Sequence, residues 1–460
     1  MDIAFEQSHN NASAEAPSTV PNHLTITYLP VEDLTSLGPS PRTHSRRKIE
    51  MLTRSIERFG MVIPIAVDPQ NRVVAGEARL AAATKLDLSH VPVLQISHLS
   101  HEEARAFRIA DNRLTELGSW DEDVLRGEFE FLVELGVDLT LTDFEMGEID
   151  LTIGIVGDDE EANAIPAVDP SCPATSRPGD VWQLGEHRLA CGDALDKSIL
   201  AQLLEGDEVD LVFTDPPYNV PIQGHVSGLG QRRHREFAQA SGEMSEAAFT
   251  QFLECFLSAA RDVCRDGAIL FVCMDWRHQY ELLTAARKAD LTQLNLCVWN
   301  KDNGGMGSLY RSKHELVFVL KNGSASHSNN VALGRFGRNR TNVWDYAGVN
   351  SFGKDRDKAL DMHPTVKPVE MIEDAIQDCS SRGDVVFDPF AGSGSTLIAA
   401  ERCGRRARAI EIDPHYCDTI LRRWQDFTGK QAVLTRTGST FDEIVTEQAS
   451  DITPFIDPLS

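Results

Sequence analysis

A chain of 460 residues has room for two or three domains, and an apolar fraction of 42% is ample for packed cores. A formal charge of −26 argues against a globally basic nucleic-acid binder, because phosphate backbones demand positive potential, but it leaves room for a local basic face. The nine cysteines show neither a C-x-x-C pair nor metal-like Cys/His spacing, and no run approaches the roughly 18 apolar residues of a membrane span, so a soluble, cytoplasmic protein without metal or membrane partner is expected.

Residues 1–21 lack apolar periodicity and are expected to be disordered. A strand follows over Leu24–Leu29, and Ile49, Leu52, Ile56 and Phe59 recur at helical spacing up to the stop signal Gly60. Val62–Val67, a turn at Asp68–Asn71, the strand Arg72–Ala75 and an alanine-rich helix opened by Gly76-Glu77-Ala78-Arg79 continue the pattern. Helical spacing over Glu102–Asn112 and Val124–Leu135 closes a small α+β domain at 22–150. The acidic run Gly157–Glu161 and the Pro- and Ala-rich stretch to Pro178 read as a linker over 151–178.

The second domain is expected over 179–440. Val181–Leu184 and His187–Ala190 form a hairpin, with Asp193 past its second strand. The apolar run Val209–Phe213 stops at Thr214-Asp215-Pro216-Pro217-Tyr218, a buried parallel strand ending on a stiff acidic corner. Asn219–Glu243 reads as a mobile loop; a helix around Phe249–Leu257 and the strand Ala268–Cys273 follow. Leu296–Lys301 and Glu315–Leu320 suggest an antiparallel excursion at the sheet edge. Periodicity is weak over 321–362, where Arg335, Arg338 and Arg340 cluster. After Thr365, Lys367 and Pro368 come a helix, the strand Val385–Phe387, the loop Asp388-Pro389-Phe390-Ala391-Gly392-Ser393-Gly394, a helix, the strand Ala407–Asp413 and a tail at 441–460. Strands alternating with helices predict an α/β fold with a mostly parallel sheet.

In such sheets ligands bind outside the carboxyl ends of the strands, which puts the Asp215 corner at a substrate cleft. The loop after Asp388 has F-x-G-x-G form and lacks the lysine of a phosphate-binding P-loop. Glycines let backbone approach a ligand, and Glu411 at the end of the next strand is placed like an acid that holds ribose hydroxyls.

Two resemblances follow. Gly76-Glu77-Ala78-Arg79, with Pro41-Arg42 and Ile109–Arg113, resembles the ParB/sulfiredoxin-like domain. It implies a nucleoside triphosphate site at Gly76, Glu77 and Arg79, although Ala78 stands where the motif has arginine; a sulfiredoxin role is excluded because no cysteine precedes Cys172. From Gly179 to Gly438 the chain resembles β-class D-P-P-Y amino-methyltransferases of DNA. That resemblance implies a Rossmann-like sheet with an antiparallel edge hairpin, S-adenosylmethionine as cofactor, and double-stranded DNA as substrate. It also implies catalysis by Asp215, Pro216, Pro217 and Tyr218, and a cofactor site formed with the Asp388 loop. Within that site Asp193 would meet the adenine, Glu411 the ribose, Phe390, Gly392 and Gly394 the methionine side and walls, and Thr365 and Lys367 the carboxylate end. Residues 321–362 would read the target, with Arg335, Arg338 and Arg340 on phosphate or guanine. A homodimer and association with the nucleoid are compatible with the resemblance. Adenine N6 is the expected acceptor. Cytosine N4, an RNA base, a protein amide, and a ParB-like DNA-binding protein with an inert methylase half are the alternatives.

Overall fold

The computed structural model describes residues 24–166, 172–219, 242–302, 309–331, 334, 338–348 and 366–452. The expectations for residues 1–21, for most of the loop 219–243 and for much of 321–362 fall outside them. The chain divides into two units, Met1–Phe144 and Glu145–Ser460.

The first unit is built on a five-stranded sheet: β1 (Ile26–Pro30), β2 (Thr35–Ser36), β3 (Ile65–Val67), β4 (Arg72–Ala75) and β5 (His90–Gln95), in spatial order β1-β5-β3-β4-β2. Ile65, Val67, Val73, Val91 and Val93 give it a β-branched core. The turn between β3 and β4 forms because Asp68 accepts the amides of Gln70 and Arg72, with Asn71 at φ 57°. The helix Arg46–Phe59 is capped by Ser45 on the Lys48 amide, and Gly76 at φ 110° admits the helix Glu77–Lys85.

The second unit contains a ten-stranded sheet. Its strands are β6 (Val181–Leu184), β7 (His187–Cys191), β8 (Val209–Thr214), β9 (Cys264–Met274), β10 (Thr292–Asn300), β11 (His314–Lys321), β12 (Val343–Asp345), β13 (Val385–Asp388), β14 (Arg406–Glu411) and β15 (Val433–Leu434). The spatial order is β12-β10-β11-β9-β8-β13-β14-β7-β6-β15. The five central strands, β9 to β7, are mutually parallel, while β11 and the β6–β7 hairpin run antiparallel. β8 shows why the centre is parallel: Leu211 and Phe213 enter one buried cluster and Val209 and Val212 the other, as both faces are covered.

Residues 145–166, expected in part as a linker, are instead folded onto this unit. The helix Met146–Ile153 buries Asp150 against Arg405 in a two-pronged pair (2.9 and 2.8 Å), with Arg382 at 3.0 Å. Asp159 pairs with Arg402 (2.6 Å), Ala162 joins the core, and its carbonyl accepts Arg423 (2.7 Å). Acids that would repel one another in an isolated linker here neutralise buried arginines.

Candidate active site

The strand order decides the site. β8 and β13 are paired neighbours, with Val386 beside Leu211, so the acidic corner after one and the glycine loop after the other lie side by side at the carboxyl ends. β14 and β7 continue the series, placing Glu411 and then Asp193 on the same edge. The Gly192 amide donates to the Glu411 carbonyl (2.9 Å), tying the last two ends together.

The glycine loop is held from below. Asp388 accepts the Phe390 amide (3.1 Å) and the Thr396 hydroxyl (2.6 Å), and burial raises its carboxyl to about 6. Gly394, at φ 83°, opens the helix Ser395–Cys403, and a Cβ there would lie 3.0 Å from two carbons of Ile420. Glu411 accepts the amides of Gly392 (2.8 Å) and Asp413 (2.9 Å), one on each oxygen, which leaves each oxygen an acceptor position for a vicinal diol. Burial pushes its carboxyl up to about 7. Phe390 packs edge-on to Phe256 at 5.3 Å and forms an apolar wall. Asp193 accepts the Leu195 amide (2.9 Å) and so also shapes its own turn. A buried acceptor, a glycine cradle and an aromatic wall suit the adenosyl part of a nucleoside cofactor.

At the corner, Tyr218 donates to Asp215 Oδ1 (2.5 Å), and its hydroxyl also meets Glu315 Oε1. Lys367 Nζ pairs with Asp215 Oδ2, lies 2.9 Å from Glu315 Oε1 and 3.4 Å from the Tyr218 hydroxyl. Lys301 Nζ lies 2.6 Å from Glu315 Oε2 and 4.3 Å from the Trp299 ring centroid. Burial pushes the Asp215 carboxyl up, with Lys367 opposing and Glu315 reinforcing that shift. Burial also disfavours charge on Glu315, yet Lys367 and Lys301 hold its carboxyl well below the usual range. Against the same burial, Asp215 and Glu315 hold Lys367 as an ammonium.

Several expectations change. Lys367, expected at the carboxylate end of a cofactor, is bound to the acidic corner because two buried carboxylates require its charge. Arg338 and Arg340, expected on DNA, are tied to the helix Val369–Cys379: Arg338 binds Asp378 (2.8 Å) and Asp374 (3.2 Å), and Arg340 binds Asp378 (3.1 Å), Asp374 and the Tyr346 hydroxyl (2.7 Å). Asp374 and Asp378 stand one helical turn apart and draw both guanidiniums inward. Thr365 and Arg335 lie outside the described residues. Glu315 and Lys301 were missed. Their signal was a charge at the end of each of two apolar strands that pair, with Trp299 opposite Glu315.

In the first unit, Glu77 is bound by Arg108 (2.5 Å) and Ser36 (2.9 Å), and Arg79 donates to the Pro64 carbonyl (2.5 Å). The expected nucleotide residues therefore support the local fold as well. Burial, and then the nearby charges of Arg42 and Arg79, lowers the Lys48 ammonium, so three cations stand close together.

Similarity to known proteins extends over both units. Residues 209–422 match the DNA methylase family, residues 15–113 the ParB N-terminal domain, and residues 123–178 the ParB-methyltransferase HTH domain, whose span includes parts of both units. The type II methyltransferase M2.DpnII of Streptococcus pneumoniae is 25% identical over 228 residues, covering 48% of this chain and 84% of that one. M.HinfI of Haemophilus influenzae is 24% identical over 255 residues, covering 51% and 67%. A putative DNA modification methylase of Thermus thermophilus, TTHA0409, solved with S-adenosyl-L-methionine, is 24% identical with a TM-score of 0.38 and covers 53% of this chain and 96% of its own.

Proposed function

We propose that this chain, which belongs to the N6/N4 DNA methylase family and carries a ParB N-terminal domain, methylates an exocyclic ring amine in double-stranded DNA, adenine N6 in preference to cytosine N4. The observation that supports this most is the pairing of β8 with β13, which sets the Asp215 corner beside a loop suited to a nucleoside. S-adenosylmethionine supplies the activated methyl group. Glu411 takes its ribose hydroxyls, Asp193 its adenine, and Phe390, Gly392 and Gly394 line its remaining length.

The amine is a poor nucleophile because its lone pair is delocalised into the ring. Hydrogen bonds from it to the Asp215 carboxylate and the Pro216 carbonyl draw it toward tetrahedral geometry and localise that pair. Pro216 and Pro217 fix both acceptors, so the gain is chiefly one of orientation. As the nitrogen–carbon bond forms and the carbon–sulfur bond breaks, the nitrogen becomes acidic and Asp215 takes one of its protons. The base must leave the stack to arrive there, and the half-buried Tyr218 ring offers it a face.

Incubation with labelled S-adenosylmethionine and DNA, RNA or protein, followed by nucleoside analysis, tests the reading. N6-methyladenine is expected; N4-methylcytosine would overturn the choice of base, and no transfer to DNA would overturn the reading itself. Asp215→Ala should lower transfer by about 10²–10⁴-fold while cofactor affinity persists, and equal loss of both would mean a structural residue. In the first unit we assign a nucleoside triphosphate to the Gly76–Arg79 turn, where a helix begins beside Lys48 and Arg42. Binding of a labelled triphosphate that is equal with and without Arg79→Ala would contradict a contact by that residue.

A further inference from the structure

The mechanism above uses Asp215 and gives Glu315, a second carboxylate buried beside it, no task. Glu315 is 6% exposed and is the second residue of β11, which lies across β9 from the strand that carries the corner. Its Oε1 atom touches the same two donors that hold Asp215: Lys367 Nζ at 2.9 Å and the Tyr218 hydroxyl. The two acids are thus bridged twice, once by an ammonium and once by a phenol. Tyr218 has one hydroxyl proton and can donate it to one carboxylate at a time.

This arrangement bears on how Asp215 can serve a substrate. A buried ammonium or phenol deprived of its acceptor is strongly disfavoured, so Lys367 and Tyr218 must keep a partner at every stage. If Asp215 were their sole acceptor, they would compete with an incoming amine for its oxygens. Glu315 removes that conflict. It is kept anionic by Lys367 and then by Lys301, the latter at 2.6 Å and with a side chain one-third exposed at the outer edge of the group. Two carboxylates and two ammoniums balance in charge whether Lys367 leans on Asp215 or on Glu315, so a shift between them creates no net charge in the interior.

We propose that Glu315 is a positioning residue, the second anchor onto which Lys367 and Tyr218 pass when the substrate amine takes Asp215. The inference rests on the methyl-transfer reading. No covalent bond changes in this step; two hydrogen bonds exchange acceptors. In the resting site the handover is partly made, since both donors already contact both acids. Besides Lys367, Tyr218 and Glu315, the titratable groups near Asp215 among the described residues include the Cys273 thiol from β9, a weak acceptor, and the Asp388 carboxyl from β13, already engaged by the Phe390 amide and the Thr396 hydroxyl.

The test is single-turnover methylation, across pH, of a DNA that the full-length wild type modifies, alongside cofactor affinity by calorimetry. Glu315→Gln keeps the shape and removes the charge. Cofactor affinity should change by less than about threefold, while the transfer rate constant falls at least about 30-fold. The acid limb of the rate profile should move to lower pH, because the whole charge of Lys367 then falls on Asp215 and the repulsion from Glu315 is gone. Removing the competing cation as well, in Glu315→Gln with Lys367→Met, should restore at least about tenfold of the loss, a coupling that a merely structural role would not give. Lys301→Gln, at the solvent edge, provides a second measure if the Glu315→Gln protein fails to fold: Glu315 then draws Lys367 further from Asp215, and the acid limb should move to higher pH. An unchanged rate and limb in Glu315→Gln, additive losses in the double variant, or an unmoved limb in Lys301→Gln would each overturn the inference. Absence of transfer by the wild type would overturn the functional reading, and this inference with it.

Discussion

Glu411 is the residue whose ionisation most directly ties the fold to ligand binding. Its carboxyl is raised to about 7 chiefly by burial, with Asp413 and Asp388 adding to the shift and the amides of Asp413 and Gly392 opposing it. A raised carboxyl means that the folded state favours the neutral form, so the stabilisation is complete below the ordinary carboxylate value and is lost as pH rises through 7. A diol, by contrast, donates best to the anion, so binding it should expel a proton at lower pH. Adenosine carries that diol and does not itself titrate near neutrality. Its affinity should rise about tenfold from pH 6 to pH 8, with proton release visible in calorimetry in buffers of different ionisation enthalpy. Glu411→Gln should flatten the dependence; a flat wild-type curve would remove Glu411 from the diol. Residues such as Asp215 and Glu411 were legible in the sequence because each ends an apolar strand. The partner of Lys367 was not legible, since it lies 152 residues away, and Glu315 meets Tyr218 across 97 residues. No local pattern encodes a pairing that only the sheet order creates.

Elements show the same division between local and tertiary causes. The parallel strands, the edge excursion and the β6–β7 hairpin follow from periodicity and turn residues, and all are present. The stretch 151–166 of the expected linker misled because its acids carry no pattern of their own; the order of 145–166 comes from Arg402 and Arg423 on two helices and Arg405 in the turn before β14. Arg405 is fully buried with its fork on Asp150, so Arg405→Ala would leave that buried carboxylate to Arg382 alone and should cost about 3 kcal/mol in urea unfolding. Asp150→Ala should cost a similar amount, and the double variant less than the sum, because one pair is broken once. A near-zero effect would mean that the segment is dispensable to the second unit. At the glycine loop, Gly394→Ala places a Cβ in a left-handed backbone and against Ile420, so a loss of about 1–3 kcal/mol with weakened cofactor binding is expected from the same unfolding and calorimetric measurements.

For the whole molecule, the chain joins two units with separate cores and, in the reading above, separate ligands. Composition puts the boundary within 151–178, where a Pro- and acid-rich stretch reads as a spacer; the division into units falls after Phe144. Phe144 itself packs against Trp120 and Phe129 at 5.4 and 5.2 Å, so aromatic contacts close the first unit at that point. If each core melts as its own cooperative body, a thermal scan of the full chain should resolve two transitions. A ligand present at about a hundred times its Kd stabilises the unit that binds it by about 2.7 kcal/mol. For a unit of the size of Glu145–Ser460 this corresponds to a rise in Tm of roughly 5 °C with S-adenosylmethionine, and the other transition should stay where it was. A nucleoside triphosphate should do the reverse, raising only the transition that belongs to residues 1–144. A single transition moved by either ligand would show instead that the two cores unfold as one cooperative body, each ligand adding its own stabilisation of the folded state.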